Sequence, residues 1–399
     1  MRKAVTQPTL DTVIVRFGGE LWIKKPWTRR TYERRLIDNM KHTLKRHEIP
    51  FREIIRKHGR LYLKTNQPIE ASSKLARVFG IASVSPAQQT TPKLNDIIRT
   101  SLSLADQTLQ PGNSFAIKCR RVGTQPYTSA DICREVGRQI LEKFGKKRNL
   151  TVNLKHPDVT LGVEIREEDA FIYASVIGGA GGMPLGTQPR LVGLLSGGLD
   201  SAVACWLTMK RGAPTVPVYF DNTPFTDEAT TKRAIEVAKV LFDWATGFSR
   251  RMYIVPHGQN LAEFLEKCPH RFTCLLCKRI MYRVAEKIAE MTKAEGIVTG
   301  EAIGEQASQT IPNLRVLNQA AQKYPIHRPL LGFDKAETEH IARKIGTYEP
   351  SSLKAKGCTA APKKPATMAK LHEIMVAEEK LNIQQMVEAS VQQLQTLNL

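Results

Sequence analysis

Two stretches of the 399-residue chain carry chemically capable residues at telling intervals. In LVGLLSGGLDSAVACWL (191–207) an apolar run stops at Ser196-Gly197-Gly198, sets an acid at Asp200 and a hydroxyl at Ser201, then resumes with helical period. A strand, a glycine turn and a helix in that order offer unpaired backbone N–H groups and a positive dipole end to an anion, usually phosphate. The glycines permit close backbone approach. Asp200 cannot help to bind bare phosphate, and makes sense beside a magnesium ion. The GxxxxGK[ST] pattern of P-loop NTPases is absent, so another phosphate chemistry is indicated.

The second stretch, KCPHRFTCLLCKRIMYRVAEKI, spaces Cys274 and Cys277 as CxxC at the start of a helix, where both thiolates can face one metal site. A redox pair or two core residues would show the same spacing. Cys268 is a weaker candidate, because PHRFT would have to loop back for it to share a site with Cys274. Seven cysteines in a chain of this length make no disulfide framework. Cys119, Cys133 and Cys205 stand singly in apolar patterns and read as small buried hydrophobes.

The elements that must position these groups are set by periodicity. From Leu191 strands alternate with helices: LVGLL, AVACWLTMKRG, TVPVYFDN, DEATTKRAIEVAKVLFDWATG, RMYIVPH. That alternation predicts a doubly wound parallel sheet, with ligand at the carboxyl ends of its strands, where SGGLDS falls. Upstream, DTVIVRF reads as a strand, a basic helix runs from Thr28, and two strands meet at a His58-Gly59 hairpin. IEASSKLARVFG and IASVSPAQQT then complete a βαββαβ, ferredoxin-like order whose last elements can be shared with the neighbouring unit. That second unit holds the helix LNDIIRTSLSLADQTL, the strand SFAIKCRR, a helix capped at Ser129 and two strands in VTLGVEIREEDAFIYASVI. GGAGGMPLGTQP (178–189) reads as a linker, and the tail from Thr367 as amphipathic packing helix. The expected architecture is thus mixed α/β and α+β, with domains at 1–70, 71–180 and 181–399.

Charge points to a partner. The net charge is +21, and residues 1–180 hold 32 basic against 17 acidic side chains, whereas 181–399 hold 27 against 21. An excess confined to the front half predicts a polyanion-binding front end on a nearly balanced catalytic half. No apolar run reaches membrane-spanning length, and MRKAVTQPTLDTVIVRF lacks a signal-peptide core. No membrane role and a cytoplasmic location are expected.

SGGLDS resembles the PP-loop of the ATP pyrophosphatases, which cleave ATP between the α and β phosphates and adenylate a substrate. IVTGEAIGEQASQT (297–310), with Gly300, Glu301, Gln306, Ser308 and Gln309, is similar to a segment of the 4-thiouridine synthetases. So is GFDKAETEHIARKIGT, which places Lys335 at that family's catalytically implicated lysine. KCRRVGTQPYTSADI, HPDVTLGVEI and GGAGGMPLGTQ resemble its THUMP domain, so the likeness spans the whole chain in the family order of ferredoxin-like, THUMP and PP-loop domains.

The resemblance implies ATP on Ser196, Gly197, Gly198, Asp200, Ser201, Tyr219, Phe220, Gly300 and Gln309, with Asp200, Lys335 and Cys358 catalytic. It implies tRNA on the front domains, with Arg29, Arg30, Lys118, Arg120 and Arg121 as contacts, and a homodimer. Adenylation of a uridine O4, at uridine 8 by resemblance, followed by sulfur attack would give 4-thiouridine. Two departures stand out. Ala202 replaces the proline that often follows the motif, and with Leu399 as its last residue the chain is expected to lack the C-terminal rhodanese domain that delivers persulfide in some members. Cys358 falls at the family's sulfur-handling cysteine, so Cys274, Cys277 and Cys358 suit a 4Fe-4S cluster with one open iron. A persulfide relay and a zinc or structural role are the alternatives. Sulfide or a cysteine desulfurase persulfide is the expected donor. Another tRNA thiolase, sulfur transfer toward thiamine and a non-catalytic tRNA-binding protein are the competing readings.

Overall fold

The computed structural model describes residues 10–57 and 59–399, so His58 of the expected hairpin and the first nine residues lie outside the described part. Two compact units divide at Pro184 and Leu185.

The first unit carries one nine-stranded sheet. Its strands are β1 (Thr12–Phe17), β2 (Glu53–Lys57), β3 (Arg60–Lys64), β4 (Ile81–Thr90), β5 (Ser114–Arg121), β6 (Thr151–Val152), β7 (Val159–Ile165), β8 (Ala170–Tyr173) and β9 (Ile177–Gly178). They run in the order β2-β3-β1-β4-β8-β7-β5-β6, with β9 on β4. The ten-residue β4 joins two halves: its early residues pair with β1, while Gln88–Thr90 pair with β8. Helices Pro26–Arg46 and Pro68–Leu75 cover the first half through Leu36, Met40, Ala71 and Leu75. Helices Leu94–Thr108 and Ser129–Ile140 cover the second through Ile97, Leu104, Ile132 and Val136. The expected break after residue 70 therefore falls inside a helix whose Ala71 and Leu75 belong to the first core.

Two helix starts differ from expectation. The basic helix begins at Pro26, not Thr28, because a proline's fixed φ and missing N–H suit the first turn. The cap expected at Ser129 is Thr128, which forms a capping box with Asp131. Nor are residues 178–184 a loose tether. Gly179 N–H donates to Ala82 O, Ala180 N–H to Ala76 O and Gly181 N–H to Ile81 O, each at 2.8 Å, and Met183 is buried in the first core.

The second unit is built on β10 (Leu191–Leu194), β11 (Thr215–Asp221), β12 (Arg251–Pro256), β13 (Ile297–Val298), β14 (Ile326–His327) and β15 (Gln395–Asn398), in the order β14-β13-β10-β11-β12-β15. Five strands are parallel, as the alternation predicts; β15 adds an antiparallel edge that the helical reading of the tail missed. Both faces are covered. Val192, Leu194, Val218 and Phe220 face the core shared with helices Gly258–Lys267 and Thr273–Thr292. On the other face Gly193 lies so close to Cys205 Sγ that a Cβ there would stand 2.7 Å from it. Strand order reverses beside β10, so the loop after β10 opens at the switch point where doubly wound sheets bind ligands. The tail helices Leu371–Glu378 and Ile383–Gln392 pack as expected, pinned by buried Arg279, whose guanidinium donates to both oxygens of Glu378 at 2.8 Å.

Candidate active site

The turn Ser196–Gly198 leads directly into helix Leu199–Lys210, whose N-cap, Gly198, has no side chain with which to cap the first turn. Its leading amides are therefore available to an anion. Gly197 takes φ +79, and a Cβ there would meet Ala234 N at 2.8 Å, so position and conformation both demand glycine. The serines brace the turn: Ser201 Oγ accepts from Ser196 N–H and donates to Gly198 O, both at 3.1 Å, and Ser196 Oγ accepts from Gly198 N–H at 3.3 Å. Ser201, expected to touch the ligand, instead shapes the loop that would. Gly300 acts similarly. A Cβ on it would stand 2.5 Å from the backbone of Asp200 and Ser201, so it lets the 299–310 loop lie against the helix start.

Asp200 emerges on the first turn, and Lys335, first residue of helix Lys335–Ile345, reaches it across the fold. Lys335 Nζ donates to both Asp200 oxygens at 3.0 and 3.1 Å and to Glu305 Oε1 at 2.6 Å. Burial works against the lysine's charge, but the hydrogen bonds that it donates to Glu305 and Asp200 outweigh it and raise its pKa. Glu305 was not foreseen. With Asp200 it makes the pair of carboxylates that a magnesium ion shared with phosphate oxygens would use.

A cavity of about 430 Å³, within the range of ligand pockets, extends from Ser196 past Tyr219 and Phe220 to Cys274, Cys277 and Cys358. Its charged lining is entirely cationic: Arg233, Lys278 and Lys356. Arg233 Nε and Asn222 Oδ1, on residues lining it, are buried without partners, as expected of groups that await a polar ligand. From the 297–310 loop Gln306 and Ser308 line this cavity, whereas Gln309 is buried and not part of the lining. A larger cavity of about 940 Å³ near Leu191, Lys210 and Phe333 is lined by none of the candidate catalytic, ATP-binding or cysteine residues.

Cys274 and Cys277 are three apart on one face of helix Thr273–Thr292. The loop bearing Cys358 lines the same cavity and is held by two of its amides: Thr359 N–H donates to the backbone Phe225 O at 2.8 Å and Lys356 N–H to the side-chain Asp227 Oδ2 at 3.2 Å. Burial raises the pKa of the Cys274 and Cys277 thiols, and the neighbouring thiols push the same way against Lys278. The Cys277 sulfur lies 3.3 Å from His257 Nε2 and 3.8 Å from Met281 Sδ. Among the described residues no three His, Cys, Asp or Glu side chains are drawn together as a metal site. The donor set nonetheless suits a thiophilic centre, since three free thiols share one cavity wall with no carboxylate. Cys268 turns away, its Sγ donating to Ala377 O at 3.4 Å within the core. Cys205 is fully buried, its thiol pushed up to about 12, as for an inert core residue, whereas Cys119 and Cys133, expected to be buried, are only partly so and pack against the edge of the core, burial raising the Cys119 thiol to about 11.

Glu301, singled out by the motif, is a buried electrostatic hub. Lys278 donates to it at 2.9 Å, Arg328 at 2.6 Å, Tyr282 at 2.8 Å and Thr299 at 3.1 Å. Burial favours the neutral acid, but Lys278 and Arg328 outweigh it and hold the carboxyl at about 2, below the ordinary 4.5. A depressed carboxylate stabilises the fold above its unfolded pKa and loses that contribution as pH falls through the folded one. Stability on the order of 3 kcal/mol should therefore drain away between about pH 5 and 2. Urea unfolding of wild type and Glu301→Gln checks this. The gap between them should shrink on acidification, and a gap constant from pH 6 to pH 3 would contradict it.

The chain matches the family model described as thiamine biosynthesis protein (ThiI) over residues 186–383, the THUMP domain over 92–175 and the ThiI ferredoxin-like domain over 12–85. A probable tRNA sulfurtransferase of Methanosarcina mazei is 42% identical over 98% of this chain and 96% of its own. One from Caldanaerobacter subterraneus is 37% identical over 95% and 97%. A 4-thiouridine synthetase solved as an RNA complex with bound ATP aligns with TM-score 0.87 at 30% identity, covering 97% of this chain and 99% of that one. The chain belongs to the ThiI family of tRNA sulfurtransferases. PH1313 from Pyrococcus horikoshii also aligns, with TM-score 0.67 at 28% identity over 84% of this chain and 99% of that one.

Within this ThiI-family fold the RNA-facing expectations divide. Arg30, Lys118 and Arg120 are exposed. Arg29 and Arg121 are partly withdrawn: Arg29 stacks on Trp22 at 5.1 Å, and Arg121 donates to Gly123 O and Gln125 O at 2.9 and 3.0 Å. Trp27, 77% exposed on the same basic helix as Arg30, escaped the sequence reading. Among the described residues no helix is long and apolar enough to cross a membrane.

Proposed function

We propose that this protein is an ATP-dependent, cytoplasmic tRNA 4-thiouridine synthetase. The observation that carries the reading is one cavity that joins the Ser196 turn to Cys274, Cys277 and Cys358, so that nucleotide and sulfur chemistry share a space. ATP phosphates lie against the first-turn amides after Gly198, with Arg233 and Lys356 adding positive charge. Asp200 and Glu305 would hold a magnesium ion, which would supply charge neutralisation to the phosphates, and Lys335, paired with both carboxylates, keeps them in place on the side where pyrophosphate departs.

The uridine O4 attacks the α-phosphorus, the bond to the β-phosphate oxygen breaks, and pyrophosphate departs. Sulfur then adds to C4, the C4–O bond breaks, and AMP leaves with the former O4. Adenylation is needed because the carbonyl oxygen is otherwise a poor leaving group. Cys274, Cys277 and Cys358 would hold a 4Fe-4S cluster, which when bound supplies an iron without a protein thiolate as a seat for inorganic sulfur. Sulfide is the proposed donor; persulfide from a cysteine desulfurase serves as the source when a thiol reductant supplies the two electrons that release its outer sulfur as sulfide. The active species is proposed to be a homodimer.

tRNA is gripped by the basic front, residues 1–70 and 71–180, through phosphates and shape rather than base sequence. Arg30, Lys118 and Arg120 serve as phosphate contacts, and Trp27 as a platform on which a base can stack. Full-length protein should lose about 10²-fold or more in tRNA affinity between roughly 50 and 200 mM salt, the loss expected for about four neutralised phosphates. A filter-binding titration with a flat salt dependence would contradict this. The function itself is tested by mass spectrometry of tRNA nucleosides from a deletion strain. 4-Thiouridine should vanish and return on complementation; its persistence would refute the reading.

A further inference from the structure

Behind the cysteine wall lies a polar chain that the proposed chemistry does not use. Ser390 Oγ donates to Met386 O at 2.8 Å, and a carbonyl can only accept. Ser390 therefore turns a lone pair to Asn260, whose Nδ2 stands 3.0 Å away and donates to it. The same Nδ2 lies 3.0 Å from His257 Nδ1 and donates there with its second hydrogen. A neutral imidazole that accepts at Nδ1 carries its proton on Nε2. That nitrogen is the one 3.3 Å from the Cys277 sulfur. Cys277 in turn has Met281 Sδ at 3.8 Å to receive its own S–H.

Asn260 thus donates both ways, to Ser390 on one side and to His257 on the other, and from His257 the donation passes on to Cys277. His257 is wholly buried, so no water competes for either ring nitrogen. Its ring is wedged edge-on between Phe220, at 5.4 Å, and Phe264, at 6.4 Å, which keeps Nε2 aimed at the sulfur. Phe220 also lines the cavity, so the wedge belongs to the same wall as Cys277.

We propose that His257 is a positioning residue for Cys277, presenting an Nε2–H donor to its sulfur in a tautomer fixed by Asn260 and Ser390. The assignment of Cys277 to sulfur chemistry rests on the functional reading above; the tautomer does not. An N–H directed at a cysteine sulfur stabilises electron density there and, when that sulfur binds an iron–sulfur centre, makes the centre easier to reduce. His257 touches neither ATP nor uridine in this role. It acts through Cys277.

Two measurements test the proposal. Long-range 1H–15N spectra of the full-length, 15N-histidine-labelled protein report which ring nitrogen is protonated, with His257 assigned by the resonance lost in His257→Gln. An Nε2–H tautomer is expected; an Nδ1–H or doubly protonated ring would overturn the proposal, and the reading is taken on wild-type protein, the variant serving only for assignment. In anaerobically purified, iron-loaded protein, His257→Leu should shift the midpoint potential to more negative values, while His257→Gln, whose amide can replace the donor, should restore much of the shift. Equal potentials in all three proteins would overturn it. Wild-type protein that binds no iron would refute the cluster and leave the tautomer measurement to decide the His257 assignment.

Discussion

Asp200→Ala should abolish ATP-dependent thiolation, by about 10³-fold or more, while leaving tRNA affinity within about threefold. The first part follows from its place on the first turn of the helix after the glycine loop, where it shares Lys335 with Glu305. Removing one of the carboxylates that would hold the magnesium ion and Lys335 against the departing pyrophosphate costs on the order of 4 kcal/mol of barrier, which is about three powers of ten. The second part follows because the proposed RNA grip lies on the basic first unit, in Arg30, Lys118 and Arg120, not on this loop. Lys335→Ala should resemble it, and the double variant should be scarcely worse than either, since the pair acts as one unit. Single-turnover thiolation and filter binding on the same preparations separate the effects. Unchanged activity in Asp200→Ala would sink the assignment of the loop, and lost tRNA binding would mean that the loop also grips RNA.

Alanine at Cys274, Cys277 or Cys358 should each remove bound iron, the brown colour and thiolation together, whereas Cys268→Ala and Cys205→Ala should keep all three. The contrast is geometric. Three thiols line the cavity that begins at Ser196, while Cys268 donates into the core and Cys205 is sealed beneath Gly193. The two controls also read out whether loss of a thiol merely unfolds the domain. Iron content, visible absorption and thiolation of anaerobically purified variants settle it. Colourless, iron-free wild type working at full rate from a persulfide donor would replace the cluster with a relay through Cys358 and one of the CxxC thiols. Iron lost from Cys268→Ala would show that the core position is not its final one.

What the sequence made legible is what is local. SGGLDS between a four-residue buried strand and a helix is a contiguous pattern, and strand, turn and helix all stand where periodicity puts them. The CxxC spacing likewise needs only one helix to bring two thiols to one face. What stayed hidden depends on distant segments meeting. Arg233, Lys278 and Lys356 form the cavity's charge from two helices and a loop, and none stands out among 59 basic residues. Gly300 reads as part of a ligand loop until its contact with Asp200 shows that it makes room for backbone. Arg29 and Arg121 look like phosphate ligands in the string, yet an indole and two carbonyls engage them. The glycines of 178–184 suggested slack, but their N–H groups complete bonds to the first core, which composition alone does not reveal.

The most direct test supplies the purified chain with ATP, magnesium, sulfide and an unmodified tRNA transcript under anaerobic conditions, and measures nucleosides and nucleotides together. 4-Thiouridine should appear in step with equal amounts of AMP and pyrophosphate, and a transcript with uridine 8 replaced by cytidine should give none. Release of ADP and phosphate, a 2-thiolated base, or AMP formed with no thiolated uridine would contradict the account.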